Sequence, residues 1–498
     1  MTEVRGMILA AGYGTRLAPV TDHVPKPLLP VDGIPILDRI IEGFDQAGIE
    51  DIGLNCHHLG EQVVRHLRRR QDASRFEVFE ETEILGTGGA LDGARDLLMG
   101  APHFLLHNGD VLRYADLNAL VEHHLGSGAL ATLVLVDWPE VNSVVLVDDG
   151  SIASITGMPA PATGGRNLTY AGIGVFSRLL LEDIGPGFSS LIDPLVRALE
   201  AHPGSVRGLA PEGARWSDLG TLKRYLDAQT GHDSEGGETE LSLERITGHG
   251  SDRRFWRLAT ESWSAVAMVS PPEDEEFDRF VELAGFLGGL DLGTPDLLSV
   301  APADRTVLME DLGAETLHTL VKRDGFGSAR VVEAYQRTVD RLLQIQGAMH
   351  RAEAGCPAAV DRRLDYEALR WETGYFKDRF LVGHLGMDPA DLENLEPEFH
   401  ELATAVAAQP RVLIHRDFQS HTVLVQAGTI RIVDFQGMRS GPLGYDLASL
   451  IYDPYVAMPP DSRDELLGRY SAGRDSEAAG GEIRAMVVAA GLQRIMQA

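Results

Sequence analysis

Two glycines, an arginine and a lysine stand close together near the start of the chain, in Gly12-Tyr13-Gly14-Thr15-Arg16-Leu17-Ala18-Pro19 and Val24-Pro25-Lys26-Pro27-Leu28-Leu29-Pro30. An apolar run at 7–11 precedes them, so Ala11, Gly12, Gly14 and Thr15 fall where a strand gives way to a loop. Glycines at such a place let backbone N–H groups approach phosphate oxygens, and Arg16 and Lys26 bring cationic donors to the same loop. The prolines beside Lys26 hold it in a stiff extended segment, which lowers the entropy lost in placing its charge. The group reads as a cradle for a triphosphate. A second string, Glu83-Ile84-Leu85-Gly86-Thr87-Gly88-Gly89-Ala90, either leaves room for a flat base or is a flexible turn into a helix starting at Ala90.

Acids follow at strand ends. Asn108-Gly109-Asp110 closes the run 104–107, where a carboxylate can reach Mg2+ on a triphosphate. Asp218, in Trp216-Ser217-Asp218-Leu219-Gly220-Thr221, precedes a helix expected near Leu222 and is either a second metal acid or that helix's N-terminal cap. Far along the chain, Val412-Leu413-Ile414-His415-Arg416-Asp417-Phe418 puts an acid just beyond a buried strand, and Ile432-Val433-Asp434-Phe435-Gln436-Gly437 repeats the arrangement seventeen residues later. Two such acids can divide phosphoryl transfer, one orienting a hydroxyl and the other holding Mg2+, or they are unrelated loop acids. Asp446 reads as a helix-capping or loop-bracing acid.

The first string resembles the signature of the sugar-1-phosphate nucleotidyltransferase family, uridylyltransferases among them, over residues 4–230. That resemblance implies that Arg16 and the glycine loop grip the nucleotide phosphates and that Lys26 binds the phosphate under attack. It assigns Gly86, Gly88 and Gly89 to base recognition and Asp110 with Asp218 to the metal. Asn108, Glu140, Asn142, Tyr170 and Gly172 fall on the sugar side, although 170–175 also fits an ordinary central strand. In such chemistry a sugar-1-phosphate oxygen attacks the α-phosphorus of UTP and pyrophosphate leaves, so alignment and charge neutralisation do the work.

From Leu243 onward the chain is similar to the aminoglycoside phosphotransferase-like kinases, notably anomeric kinases for N-acetylmuramate and N-acetylglucosamine. Pro271-Pro272, Leu308-Met309-Glu310-Asp311-Leu312-Gly313 and Gly441-Pro442-Leu443-Gly444-Tyr445-Asp446 carry the likeness with the two acids. It implies Asp417 as general base, Asp434 as metal ligand, Gly250 and Ser251 in a loop over ATP, and Glu310 at the hinge beside the nucleotide. Two positions depart: Thr422 stands where the pattern has a metal-binding Asn, and Met268 lies where a phosphate-pairing lysine is expected. Arg253, Arg254 or Arg257 is then the replacement cation.

Alternating apolar runs and amphipathic patterns must position the first site: strands at 7–11, 52–55, 104–107 and 130–136, helices at 36–47, 59–69 and 117–125, and a hairpin at 143–155. That rhythm predicts an α/β, Rossmann-like domain with a mostly parallel sheet over residues 1–230. Residues 231–241 form a linker, since 229–240 has three glycines, four acids and no apolar residue. Residues 242–498 then make a two-lobed, protein-kinase-like domain, with strands within 245–269, 412–414 and 429–433 and helices at 276–287, 329–350 and 483–496. The last of these ends without a polar cap, so a further C-terminal part of its helical layer is expected.

The 498 residues carry 44 basic and 74 acidic side chains, a formal charge of -30 that repels nucleic acid and anionic membranes. Arg68 to Arg70 end an amphipathic helix and read as a solvated turn. Cys56 and Cys356 give neither a disulfide framework nor zinc spacing and are expected buried. No apolar run reaches 18 residues, and a cytoplasmic chain with small-molecule partners is expected. The leading reading is a bifunctional salvage enzyme: ATP phosphorylates an N-acetylated amino sugar at its anomeric hydroxyl, and the product couples to UTP. The same activities on a hexose or heptose with another nucleotide remain open, as does a silent kinase-like module.

Overall fold

A computed structural model describes residues 3–113, 116–156, 164–211, 216–229, 241–246, 252–474 and 480–496. Compactness divides the chain into Met1–Arg245 with Trp256–Ser264, and Ile246–Phe255 with Ala265–Ala498. Sheet hydrogen bonding groups Ser242–Ile246 and Arg254–Ala259 with the second. Gly250, Ser251 and the expected linker, Leu241 excepted, lie outside the described residues.

The first unit is built on Val4–Leu9, which pairs in parallel with Ile52–Cys56 on one side and His103–Asn108 on the other. Both faces are covered, so the middles of these strands are largely apolar: Met7, Ile8, Leu54, Phe104 and Leu105 are fully buried. Phe76–Glu80 extends the parallel set, while Arg166–Ser177 joins antiparallel beyond His103–Asn108. In helix Ile36–Gln46, Ile36, Leu37, Ile40, Ile41 and Phe44 recur at helical spacing and are buried. The register sets Asn55 and Asn108 on either side of Leu9, so three carboxyl ends converge where an α/β sheet receives ligands. The expected hairpin is formed by Val144–Leu146 and Ile152–Ile155. Arg70 is ion-paired with Asp38 at 2.8 Å and Asp72 at 2.9 Å, while Arg68 and Arg69 are exposed.

The second unit opens with a five-stranded sheet in the order Ser242–Ile246, Arg254–Ala259, Ser264–Val269, Thr306–Glu310, Leu297–Ala301. The pattern over 329–350 is two helices, Ala329–Gly347 and Met349–Gly355, meeting at Ala348. Arg411–Ile414 pairs with Arg439–Pro442. Between them lies a hairpin of Val423–Gln426 and Thr429–Ile432, whose first strand was too short and too close to the polar loop to stand out in sequence. The last helix, Gly480–Ile495, buries Ile483, Val487 and Ala490 and exposes Val488, Leu492 and Ile495. Both cysteines are free and buried. Among the described residues no helix is long and apolar enough to cross a membrane.

Candidate active sites

A cavity of about 360 Å3 opens at the carboxyl ends of the three parallel strands. Ala11, Gly12, Gly14, Thr15, Arg16, Lys26, Gly86, Asn108 and Asp110 all line it. Gly14 has φ 65°, and a Cβ there would sit 2.8 Å from the Thr21 side chain, so glycine is required for the loop's turn. Lys26 lies in a short 3-10 turn, Lys26–Leu28, rather than in extended chain, and is 8% exposed. Its Nζ donates to Asp110 Oδ2 at 2.7 Å and lies 3.9 Å from Asp218 Oδ1.

A small antiparallel ribbon brings the two acids together. Val111–Arg113 pairs with Trp216–Asp218, in register Val111 with Asp218, which places Asp218 beside the residue that follows Asp110. The capping alternative fails: Thr221 caps helix Leu222–Asp227 by accepting from the Arg224 N–H, while Asp218 faces Lys26, Arg16 at 3.9 Å and Arg224 at 3.3 Å. A Cβ on Gly220 would meet the Arg16 guanidinium at 2.7 Å, so this glycine makes the space that Arg16 occupies.

The second glycine string differs from expectation. Its helix is Gly86–Gly93, beginning at Gly86 rather than Ala90. Gly86 lines the cavity, but the missing Cβ atoms of Gly88 and Gly89 accommodate Ser189 and the Gly187 carbonyl, at 2.5 and 2.4 Å. Gly172, at φ 76° in a strand irregularity, makes room for the Asn108 side chain. Tyr170 is half-buried, its hydroxyl is buried with no hydrogen-bond partner among the described residues, and burial raises its pKa. Asn142 accepts from the Trp138 N–H and the Thr169 hydroxyl, bracing its own loop, and Glu140 accepts from the Trp138 indole at 3.3 Å. Glu140, Asn142, Tyr170 and Gly172 do not line the cavity.

Asn55 went unnoticed in the sequence because it ends an unremarkable strand. It is 4% exposed, accepts from the Ala10 N–H at 2.9 Å, and donates to Glu81 at 2.7 Å. Glu81 in turn accepts from the Leu85 N–H at 3.0 Å. One carboxamide thus joins the phosphate loop to the Gly86 segment, and both Asn55 and Glu81 line the cavity.

In the second unit, Asp417 and Asp434 each lie just past a strand, and the loop between strands is tightly braced. Asp446 is fully buried and accepts from the His415 N–H at 2.6 Å and the Arg416 N–H at 3.0 Å, the loop-bracing role expected of it. Burial raises its pKa against those hydrogen bonds. The Thr422 hydroxyl donates to the Asp417 carbonyl at 2.6 Å and accepts from the Gln419 N–H at 3.2 Å, so it closes this loop instead of standing free as a metal ligand. Asp434 is exposed, at φ 65°.

The expected cations are occupied. Arg253 forms a two-point pair with Asp274, Arg257 lies 3.4 Å from Glu244, and Arg254 also has an interaction. Met268 is fully buried. Glu310 is ion-paired with Arg431, so at the hinge its carboxylate is already engaged. Asp417 is paired with Arg494 at 3.3 Å, a cation with no signal in the sequence because the two residues are remote in the chain.

Residues 5–235 match the family described as Nucleotidyl transferase, and residues 242–483 match the Phosphotransferase enzyme family. The chain is 34% identical over 231 residues to Bifunctional protein GlmU of Methanococcus aeolicus, covering 45% of this chain and 53% of that protein. It is 34% identical over 233 residues to N-acetylmuramate alpha-1-phosphate uridylyltransferase of Neisseria meningitidis serogroup B, covering 45% and 97%. To N-acetylmuramate/N-acetylglucosamine kinase of Pseudomonas aeruginosa it is 29% identical over 222 residues, covering 44% and 62%. The chain therefore spans about half the length of the first relative, nearly all of the second and less than two thirds of the third.

Proposed function

Because the chain belongs to the nucleotidyl transferase family and its second half matches a phosphotransferase family, we propose that it makes a sugar 1-phosphate and then couples it to a nucleotide. The substrates favoured by its relatives' names are N-acetylmuramate or N-acetylglucosamine, with ATP for phosphorylation and UTP for coupling. The observation that carries the coupling reaction is Lys26 held between Asp110 and Asp218, with Lys26 and Asp110 lining the cavity that the glycine loop also lines.

In coupling, the loop from Ala11 to Arg16 binds the triphosphate through backbone N–H groups and the Arg16 guanidinium. Lys26 opposes charge on the α-phosphate as the sugar-phosphate oxygen attacks and the bond to pyrophosphate breaks. Two carboxylates beside a triphosphate cavity are a hard-oxygen donor set that suits Mg2+. When bound, the metal would supply charge neutralisation of the phosphates. In the second unit Asp417 takes the proton of the anomeric hydroxyl as its oxygen attacks the γ-phosphorus of ATP, and Asp434 is the residue to hold Mg2+.

The buried Met268 in place of a lysine favours one second reading, a nucleotide-sensing kinase-like module that phosphorylates nothing. Incubating the full chain with labelled ATP, UTP and a panel of amino sugars, hexoses and heptoses decides between them. The proposal expects sugar 1-phosphate and a UDP-sugar from N-acetylated amino sugars. Products from other sugars alone, or coupling without phosphorylation, would contradict the corresponding half. Reaction in the cytoplasm follows from the need for ATP and UTP.

A further inference from the structure

The last helix carries two consecutive polar side chains that the proposed chemistry leaves unused. Gln493 is fully buried and donates to the Leu369 carbonyl at 2.9 Å, fastening the helix end to helix Tyr366–Phe376. Arg494, whose side chain is 17% exposed, enters the Asp417 loop. Its Nη1 donates to the Arg416 carbonyl at 2.7 Å. Its Nη2 lies 3.3 Å from Asp417 Oδ1 and 3.4 Å from Gln419 Oε1, and the guanidinium sits 5.7 Å from the Tyr445 ring centroid. Among the described residues it is the one cation paired with Asp417.

The backbone that Arg494 holds is a demanding one. Arg416 has φ 81°, a left-handed conformation unfavourable for a side-chain-bearing residue. The loop persists because it is gripped from two directions: Asp446 accepts the N–H groups of His415 and Arg416, and Arg494 holds the Arg416 carbonyl. A planar guanidinium with several fixed partners sets direction as well as charge, which an ammonium on a flexible stem does not.

We propose that Arg494 is a positioning residue for sugar phosphorylation, fixing the carboxylate of Asp417 and the turn that presents it. The inference rests on the kinase reading given above. In the step it serves, the anomeric O–H bond breaks and its proton passes to Asp417. The oxygen bonds to the γ-phosphorus, and the bond from that phosphorus to ADP breaks. Arg494 stays cationic throughout, beside the group that takes the proton.

The test compares full-length wild type, Arg494→Lys, Arg494→Ala and Leu492→Ala, the last altering an exposed residue of the same helix turn. Initial rates with N-acetylmuramate and ATP are read together with hydrogen–deuterium exchange over residues 414–422. Arg494→Ala should lower kcat by roughly 30-fold with KM for ATP changed less than about twofold, as for a lost orienting contact. Added guanidinium ion should restore part of that rate, Arg494→Lys should recover only part, and Leu492→Ala should match wild type. Exchange over the loop should quicken in Arg494→Ala. Wild-type kcat in Arg494→Ala, or a loss shared equally by Leu492→Ala and unmoved by guanidinium, would overturn the proposal. A wild type that phosphorylates no sugar would contradict the kinase reading instead. Loop exchange then decides for Arg494 alone, unchanged exchange refuting its positioning role and quickened exchange supporting it.

Discussion

Lys26 Nζ donates to Asp110 Oδ2 at 2.7 Å, and the same ammonium lies 3.9 Å from Asp218 at the end of strand Trp216–Asp218. Three groups remote in sequence therefore share one point, on the edge of the cavity that the glycine loop also lines. The arrangement stores the charges that a triphosphate and an attacking phosphate would meet.

Lys26→Ala and Asp110→Ala should each lower nucleotide coupling by roughly 10^2, the usual consequence of losing a transition-state electrostatic contact worth about 3 kcal/mol. Pyrophosphate release from UTP and supplied sugar 1-phosphate measures it. Sugar phosphorylation should be unchanged in both, and full coupling by Lys26→Ala would refute the assignment.

Asn55→Ala should act through position rather than charge. It leaves the buried Ala10 N–H without its acceptor, at a cost of about 1–3 kcal/mol in stability. With the phosphate loop loosened, kcat/KM for the nucleotide should fall about tenfold. Thermal denaturation and steady-state coupling rates check the two effects, and an unchanged kcat/KM in a destabilised variant would reduce Asn55 to a structural role.

Thr422→Val separates loop closure from metal binding. Because the hydroxyl donates to the Asp417 carbonyl, its loss should lower the phosphorylation kcat about tenfold while the Mg2+ concentration for half-maximal rate stays constant. Thr422→Ser should behave as wild type. A higher Mg2+ requirement with kcat intact would return the hydroxyl to the metal.

His124 gives the first unit a pH dependence. It is 1% exposed, with Nδ1 2.9 Å from the Thr132 hydroxyl and Nε2 3.0 Å from His103. Burial, aided by His103 and His123, lowers its pKa from 6.5 to about 4. Between those values the unfolded chain binds more protons than the folded one, so stability rises with pH and is lost as pH falls through the window. The loss attributable to His124 is at most about 3 kcal/mol. Urea unfolding at both ends of the window should show a larger loss for wild type than for His124→Gln, and equal losses would contradict the account.

The glycine loop and Asp110 were legible in sequence because each comes just after a strand whose apolar run announces it, and Lys26 because prolines flank it on both sides. Asp218 was ambiguous, since its position before a helix fits a cap, and only the ribbon pairing with Val111–Arg113 turns it toward Lys26. Side chains that bind loops to one another, such as Asn55, Thr422 and Arg494, were not legible, because their partners are set by tertiary register and leave no local spacing. Gly88 and Gly89 show the converse, a string with a chemical look whose open faces are filled by protein.

On the proposed reading, one chain phosphorylates a sugar and couples the product at its own nucleotidyltransferase site. The most direct measurement is a product time course from labelled N-acetylmuramate, ATP and UTP for wild type, Lys26→Ala and Asp434→Ala, with sugar 1-phosphate then supplied to each. Wild type should form the UDP-sugar, Lys26→Ala should accumulate sugar 1-phosphate, and Asp434→Ala should form the UDP-sugar only when sugar 1-phosphate is supplied. Sugar phosphorylation by Asp434→Ala at the wild-type rate, or UDP-sugar formation by Lys26→Ala at the wild-type rate, would contradict it.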